Sequence, residues 1–221
     1  MSLTIGNTQF RNDNPGASSY TREHIQNTGD DRGLLVSICH SSTTTVTGVT
    51  YGGDSMVAVN VISSSSISQY MSSWFLEDPP TGANDVVVTF NTNQWNSSSF
   101  AFYSFTGCGG VGSKSVDTDL DETSSHTISC SENSLIFCRA QSFQAAGSPG
   151  IVIDGTTYNA VNMDFQHNTN SQAWGKLGTN KVTAGNRTIT AVPTFGGCIS
   201  EVIEIKESGG VVVTPRYFFI T

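Results

Sequence analysis

Three short motifs in this sequence hold the residue types that hydrolytic chemistry needs. Ser55 closes a Gly-Asp-Ser triplet, which presents a nucleophilic serine in one large class of esterases. The block Gly82 to Asp85 reads Gly-Ala-Asn-Asp and could supply oxyanion-hole donors. Asp164 and His167 have the Asp-x-x-His spacing that supplies an acid and a base. Together the motifs describe a serine esterase with Ser55, Asp164 and His167 as its catalytic residues.

The residues that follow two of these motifs argue against an esterase. In the esterases the serine ends a parallel strand and opens a helix, whereas Ser55 is followed by Met-Val-Ala-Val-Asn-Val-Ile, the pattern of another strand. Tyr51 to Asp54 is then a hairpin turn in which Gly52 and Gly53 supply positive φ. Gly82 to Asp85 also precedes a strand, so it is predicted to be a turn that enters it. Because a motif without its structural context is only a hypothesis, we predict a protein that is not an enzyme.

The elements around these motifs repeat with a period of two along almost the whole chain. Short β-branched or aromatic runs alternate with turn residues, and no window has a sustained apolar stripe of helical period. The predicted strands are residues 34–40, 46–51, 55–62, 69–76, 85–90, 99–105, 126–130, 134–140, 150–154, 187–192 and 198–206. Their close spacing fits antiparallel connections, since parallel crossovers need longer segments. The pattern predicts an all-β fold, an antiparallel two-sheet β-sandwich or jelly roll.

Charge and cysteine usage restrict the partners and the compartment. The formal net charge is −8 and the pI is near 4.7, which disfavours binding to nucleic acid or to an anionic membrane surface. The N-terminus has no cationic start followed by an apolar run, and no apolar run has bilayer-spanning length, so we expect no membrane insertion. Five cysteines without Cys-x-x-Cys spacing disfavour a zinc site and a full disulfide framework. Cys130 and Cys138 could face each other across a hairpin, but free, buried thiols are the favoured expectation in a chain made in a cytoplasm.

An acidic run offers a possible metal site. Asp117, Asp119 and Asp121 alternate along the chain and are followed by Glu122. Such oxygen ligands on a loop could hold Ca²⁺. The run lacks the glycine and the terminal bidentate glutamate of an EF-hand loop, so a solvated edge or loop is the favoured interpretation. We therefore expect no cofactor, with Ca²⁺ as the open alternative.

Aromatic residues in polar surroundings are candidates for ligand contacts. Trp95 and Trp174 lie in loop-like stretches, whereas Trp74 lies in an alternating strand and is expected in the core. Aromatic faces can stack on sugar rings. Trp95, Trp174 and Tyr158 are accordingly the candidate platform for a carbohydrate.

The two ends of the chain extend beyond the predicted sandwich, which covers residues 31–206. Residues 1–30 form an N-terminal arm or a first strand. Residues 207–221 follow the last predicted strand with a Ser-Gly-Gly hinge and an apolar segment that would be an aggregation hazard if left uncovered. Its candidate contact residues are Val211, Val212, Val213, Tyr217, Phe218 and Phe219. They could pack as a last strand on their own domain or add to the sheet of a neighbouring subunit.

The order of several blocks gives the sequence a family resemblance over roughly residues 30 to 206. The blocks are the strand from Arg32 to Val36, the Val-Thr-Gly-Val-Thr-Tyr-Gly-Gly hairpin, an aromatic strand that leads into Pro-Pro-Thr-Gly, and the turn from Phe105 to Gly107. In this order they resemble the concanavalin A-like, jelly-roll β-sandwich domain of bacteriophage structural proteins and bacterial surface proteins. The resemblance implies a lectin-like sandwich with a surface or virion role, and it transfers no catalytic or binding residue.

These observations favour a non-enzymatic virion structural protein. We expect a bacteriophage capsid-decoration, head-fibre or tail-associated protein that is made in the host cytoplasm and assembles through sheet edges and terminal arms. Its partners would be copies of itself or other virion proteins. The alternative is a carbohydrate-binding module or adhesin at a cell or phage surface, with host-surface glycans as partners.

Overall fold

The chain folds as antiparallel β-structure throughout the residues that the structure describes. The structure is a computed structural model that describes residues 1–13, 16–40, 44–64, 69–94, 98–118, 123–142, 150–158, 165–168, 172–193 and 198–209. Eighteen strands and no helix occur in these ranges. The predicted all-β, antiparallel class is confirmed. The strands form four sheets, whereas the sequence pattern predicted two.

Within the described ranges, each half of the chain contains nine strands. The first half has strands β1 (Thr4–Asp13), β2 (Ala17–Gln26), β3 (Gly33–His40), β4 (Val46–Tyr51), β5 (Asp54–Ser55), β6 (Val57–Ser64), β7 (Gln69–Glu77), β8 (Gly82–Gln94) and β9 (Ser98–Thr106). The second half has strands β10 (Cys108–Asp117), β11 (Ser124–Cys130), β12 (Leu135–Ser142), β13 (Gly150–Ile153), β14 (Thr156–Tyr158), β15 (Phe165–Asn168), β16 (Gln172–Leu177), β17 (Gly185–Val192) and β18 (Cys198–Glu207). Gly107 joins the halves with a φ of 63°.

The two halves have the same strand order. In the first half, inner sheet 1 has the order β1-β9-β3-β7-β6 and outer sheet 1 has the order β2-β8-β4-β5. In the second half, inner sheet 2 has the order β10-β18-β12-β16-β15 and outer sheet 2 has the order β11-β17-β13-β14. Adding nine to each strand number of the first half gives the second half. The chain therefore contains an internal repeat of one nine-stranded unit.

The four sheets stack in four layers, with the two inner sheets at the centre. One apolar cluster lies between outer sheet 1 and inner sheet 1, and another lies between inner sheet 2 and outer sheet 2. A third joins the inner sheets and contains Leu35, Phe75 and Tyr103 from the first half with Phe137 and Ile203 from the second. Since neighbouring sheets cover both faces of the central strands β3 and β12, every residue of these two strands is buried.

A buried polar group ties the two inner sheets together. The guanidinium of Arg139 donates to Ser37 Oγ at 2.6 Å and to Ser99 Oγ at 2.7 Å in the other half. Glu201, opposite Arg139 in the β12–β18 pair, accepts from Asn60 Nδ2 at 3.1 Å and from the Ser73 hydroxyl. Burial raises the pKa of Glu201, and these hydrogen bonds and Arg139 oppose the shift. Because a buried charge needs its partners, this group fixes how the halves pack.

Eight of the eleven predicted strand segments lie wholly within strands of this fold. Residues 55–62 are divided between β5 and β6, which belong to different sheets, and Ser134 and Asp154 lie just outside β12 and β13. The predicted hairpin at Tyr51 to Asp54 is confirmed, because Tyr51 pairs with Asp54 across Gly52 and Gly53, which have φ of 58° and 93°. The N-terminal residues form β1 and β2, which pair with β9 and β8. Trp74 is buried, as expected. Residues 1–30 were predicted as an arm or a first strand and contain both β1 and β2, so the second of these strands was missed, as was the mostly polar β10.

Candidate functional site

The terminal strand of inner sheet 1 exposes apolar side chains on both of its faces. Among the described strands, β6 pairs only with β7 and ends the sheet. Val57 is 71% exposed and Val61 is 60% exposed, the two largest values among the described aliphatic residues other than Met1. Strand β5 has only two residues, and outer sheet 1 ends with it. An exposed apolar edge of this kind marks a contact site for another strand or protein.

A groove of about 470 Å³ runs between β6 and the facing edge of β10. It is lined by Val57, Ala58, Val59, Phe75, Leu76, Glu77, Val111 and Lys114. Its walls are mainly aliphatic and aromatic, with one carboxylate and one ammonium group at its rim. The ammonium of Lys114 donates to the carbonyl of Val59, at the place where the β6–β7 register shifts. The groove is thus an apolar slot beside a strand edge.

The described chain ends next to this groove. Strand β18 ends at Glu207, and the amide of Ser208 donates to the carbonyl of Gly107 at 2.9 Å. Ser208 and Gly209 line a depression of about 290 Å³ that shares Glu77 with the groove. The described chain therefore ends beside a depression that adjoins the slot at Glu77. The predicted contact residues Val211, Val212, Val213, Tyr217, Phe218 and Phe219 lie outside the described residues.

A second group combines histidine, serine and aspartate in the second half. His126 Nε2 lies 2.7 Å from Ser200 Oγ and 3.1 Å from Ser124 Oγ, and His126 Nδ1 lies 3.0 Å from Ser115 Oγ. Ser124 Oγ also donates to the Asp117 carboxylate at 2.6 Å. In a catalytic triad the carboxylate orients the histidine through Nδ1. Here a hydroxyl takes that place, and the carboxylate bonds to a serine.

Burial determines what this group can do. Ser200 is fully buried and His126 is 2% exposed, so no substrate carbonyl can reach the Ser200 hydroxyl in this structure. Burial lowers the pKa of His126, although the charge of Asp117 opposes the shift. The imidazole is accordingly neutral at pH 7 and ties β10 and β11 to β18. Serine, aspartate and histidine at alternate positions in 115–126 were a signal for this group that the sequence analysis did not use.

The predicted esterase residues do not form a described site. Ser55 is exposed in the two-residue strand β5, and β6 follows it where an esterase would have a helix. Asp164 lies outside the described residues, and only the backbone of His167, in β15, is described. Gly82 to Asp85 are the first residues of β8, so the prediction that they form a turn is wrong. The opening triplet is part of a hairpin, as its sequence context predicted.

The predicted stacking residues are only partly described. Trp95 lies outside the described residues, and Trp174 is described only as backbone in β16, opposite Ala140. Tyr158, at the end of β14, is half-buried against the core of the second half. Lys176 Nζ lies 5.2 Å from the centre of its ring. Lys176 thus lies over one face of the Tyr158 ring. The described residues do not place the rings of Trp95, Trp174 and Tyr158 on one common surface.

The predicted calcium ligands are likewise not brought together by the described part of the chain. Asp117 ends β10 and binds Ser124, while Asp119 and Asp121 lie outside the described residues. Within the described ranges, no group of three or more His, Cys, Asp or Glu residues could hold a metal ion. All five cysteines are free and buried, which confirms the expected thiols.

The described residues include no helix that is long and apolar enough to span a bilayer. Comparison with protein-family models and with curated proteins finds no match to this chain.

Proposed function

We propose that this protein is a non-enzymatic structural protein of a virus particle. In this proposal it is a bacteriophage capsid-decoration, head-fibre or tail-associated protein, and it assembles with copies of itself or with other virion proteins through sheet edges and its C-terminal arm. The observation that supports this best is the exposed edge of β6 with Val57 and Val61. Exposed apolar strand edges are a liability that natural proteins usually blunt, so an edge kept apolar fits a surface that is covered in an assembly.

We also propose that each half is a jelly roll, in line with the resemblance of the sequence. We leave out β6 from the first half and β15 from the second and number the remaining eight strands of each half afresh from 1 to 8. The inner sheet of each half then has the order 1-8-3-6 and the outer sheet has the order 2-7-4-5. This order supports two interlocked Greek keys, the arrangement found in capsid and lectin domains. Fold alone does not imply function, so the edge carries more weight than the strand order.

The non-enzymatic part of the proposal is supported by the two serine sites. Ser55 is exposed in a hairpin, and the hydroxyl that does contact a histidine, Ser200, is fully buried. A nucleophile must meet both its base and its substrate. Neither serine meets both conditions.

Truncation of the arm tests the proposed assembly. We would compare the full chain with a chain that ends at Gly209, by size-exclusion chromatography with light scattering over a range of concentrations. The full chain is expected to form oligomers and the truncated chain to be a monomer. A third, full-length chain with Val211, Val212 and Val213 replaced by serine separates the chemistry of the arm from its length. A full chain that stays monomeric at every concentration would contradict the proposal.

A further inference from the structure

The groove beside β6 is open in the described chain and lies where the C-terminal segment begins. Residues 210 to 221 number twelve and contain a single charged side chain, Arg216. An extended strand rises about 3.3 Å per residue, so these twelve residues reach roughly 40 Å. That is more than enough to cover the eight residues of β6. The composition of the segment matches the apolar walls of the groove.

The direction of the strands decides which copy of the segment fits. Gly33 pairs with Glu77, the last residue of β7. Gly33 also lies close to Cys108, the first residue of β10, because an added Cβ at Gly33 would be 2.9 Å from Cys108 Sγ. The end of β7 and the start of β10 therefore lie at the same end of the stacked sheets. Strand β18 also ends there, because Glu207 pairs with Cys108. Strand β6 starts near this end, with Val57 opposite Phe75, and runs away from it. A segment that leaves Gly209 and enters its own groove would therefore run parallel to β6.

An antiparallel fit requires the segment of another molecule. Every pairing between described strands is antiparallel, and parallel pairing is slightly less stable per residue. A second copy related by a two-fold axis presents its C-terminal segment from the opposite direction. In such a pair, the segment of each copy enters the groove of the other, so both grooves are filled by the same contact, as in any isologous interface.

We infer that residues 211–221 of a second copy lie antiparallel to β6, in the groove lined by Val57, Val59, Phe75 and Val111. This inference rests on the proposed assembly function and names its contact: a strand donated by an identical chain to the free edge of inner sheet 1. Backbone hydrogen bonds along β6 would provide the register, and alternate apolar side chains would enter the slot. The ammonium of Lys114 at Val59 marks the point on β6 where another donor already occupies a backbone carbonyl.

Cysteine cross-linking tests which chain occupies the groove. One variant carries Val57→Cys and another carries Val212→Cys, and the two are mixed, allowed to exchange and oxidised with copper phenanthroline. The native thiols give little background because all five are buried, and burial raises the pKa of Cys39 and of Cys198 to about 12. A cross-linked dimer in the mixture, visible on a non-reducing gel, is the expected result. Val111→Cys on β10 offers a second groove position if Val57→Cys folds poorly.

The matched control uses another exposed apolar residue on another terminal strand. Ile25 on β2 is 50% exposed and does not line the groove. A mixture of Ile25→Cys with Val212→Cys should give no dimer band. In the same way, Val57→Asp should weaken oligomer formation by about tenfold or more, because it places a charge in the apolar contact, while Ile25→Asp should leave it unchanged.

The outcomes separate this inference from the proposed function. If a chain with both Val57→Cys and Val212→Cys cross-links internally at high dilution and the mixture gives no dimer, the segment binds its own groove and the inference is wrong. The inference also fails if neither sample cross-links, or if Val57→Asp assembles normally while the chain ending at Gly209 is a monomer. In the last case the arm binds elsewhere and the proposed function stands. If the full chain never assembles, both fail.

Discussion

The two halves of this chain share one strand order but fill it with different side chains. The core of the first half is rich in aromatic residues, among them Tyr20, Tyr51, Trp74, Phe90, Phe100 and Phe102. The corresponding core of the second half is built from smaller groups, with isoleucines, alanines and the cysteines Cys130, Cys138 and Cys198. The comparison shows that the topology depends on the alternation of apolar positions and on the turns, while the identity of the core residues can vary.

The halves differ most where they meet. In the register of the inner strands, Leu35 opposite Tyr103 corresponds to Phe137 opposite Ile203. Two residues further along, Ser37 opposite Ala101 in the first half corresponds to Arg139 opposite Glu201 in the second. The second half therefore contributes the two charged side chains, and the first half contributes serine hydroxyls that accept from Arg139 and donate to Glu201. This asymmetry makes the halves complementary, so neither inner sheet would fit a copy of itself equally well.

Removal of one central charge should have the largest effect on stability. Arg139→Met leaves the carboxylate of Glu201 buried without its cation, so we expect the free energy of unfolding to fall by about 3 to 5 kcal/mol. Urea unfolding followed by tryptophan fluorescence measures it. The double variant Arg139→Met with Glu201→Gln removes both charges and should recover a large part of the loss. A single variant as stable as the parent would show that the pair does not hold the halves together.

Acid should destabilise the protein through its buried histidines, two of which belong to the first half. Burial lowers the pKa of His24 and of His40 to about 4. The unfolded chain binds these protons at about pH 6.5, so the stability is complete above that pH and is lost as the pH falls towards 4. The loss is about 3 kcal/mol for each histidine. Urea midpoints measured between pH 7.5 and pH 4.5 give the slope.

His24→Gln distinguishes the contribution of one histidine. Its Nε2 lies 2.7 Å from Ser104 Oγ, and the glutamine amide can replace that contact. We expect the variant to lose some stability at pH 7.5 and to show a smaller decrease towards pH 4.5. An unchanged slope would mean that other groups cause the acid effect.

The junction between the halves should be sensitive to a single methyl group. Gly107 has a φ of 63°, and an added Cβ would lie 2.3 Å from the carbonyl oxygen of Ser2. Because both the conformation and the backbone contact oppose alanine, we expect Gly107→Ala to cost about 2 kcal/mol or more, measured by thermal and urea unfolding. Gly53→Ala, with a φ of 93° and open space around it, should cost only about 1 kcal/mol.

Gly48 provides the neutral control for that pair. It has no positive φ, and an added Cβ would have no heavy atom within 4 Å. Gly48→Ala should therefore change the stability by less than about 0.5 kcal/mol. If Gly107→Ala behaves like Gly48→Ala, the link between the halves is looser than the structure indicates.

Much of the fold could be predicted from the sequence because alternation is a local signal. Strands such as β3 and β9 have long apolar runs, and the hairpin at Gly52 and Gly53 needs residues that adopt positive φ. The polar strands β1 and β10 have no comparable run of apolar residues, since most of their side chains are exposed or only partly buried. The repeat was hidden for the same reason that the two cores differ: topology constrains the pattern and leaves the residue type free.

The exposed apolar edge at β6 was likewise predictable from the sequence only in part. Residues 55 to 62 were predicted as one alternating strand, and apolar residues at both parities were the unused sign that both of its faces are apolar. Whether these faces are covered depends on the position of β6 at the end of its sheet, which is a long-range fact. The cluster of His126, Ser124 and Ser200 also needs strands that lie far apart in the sequence.

The sequence by itself determined that this chain is an antiparallel β-protein, where most of its apolar strands and its sharp turns lie, and that its cysteines lack the Cys-x-x-Cys spacing of a zinc site. These properties follow from side-chain alternation, from the φ preferences of glycine and from cysteine spacing, all of which act over a few residues. The tertiary structure decided that the strands form two equivalent halves in four layers, that Arg139 and Glu201 meet partners across the centre, and that β6 is left as an apolar edge beside the end of β18. Pairing between distant strands sets these features, and no local pattern encodes it.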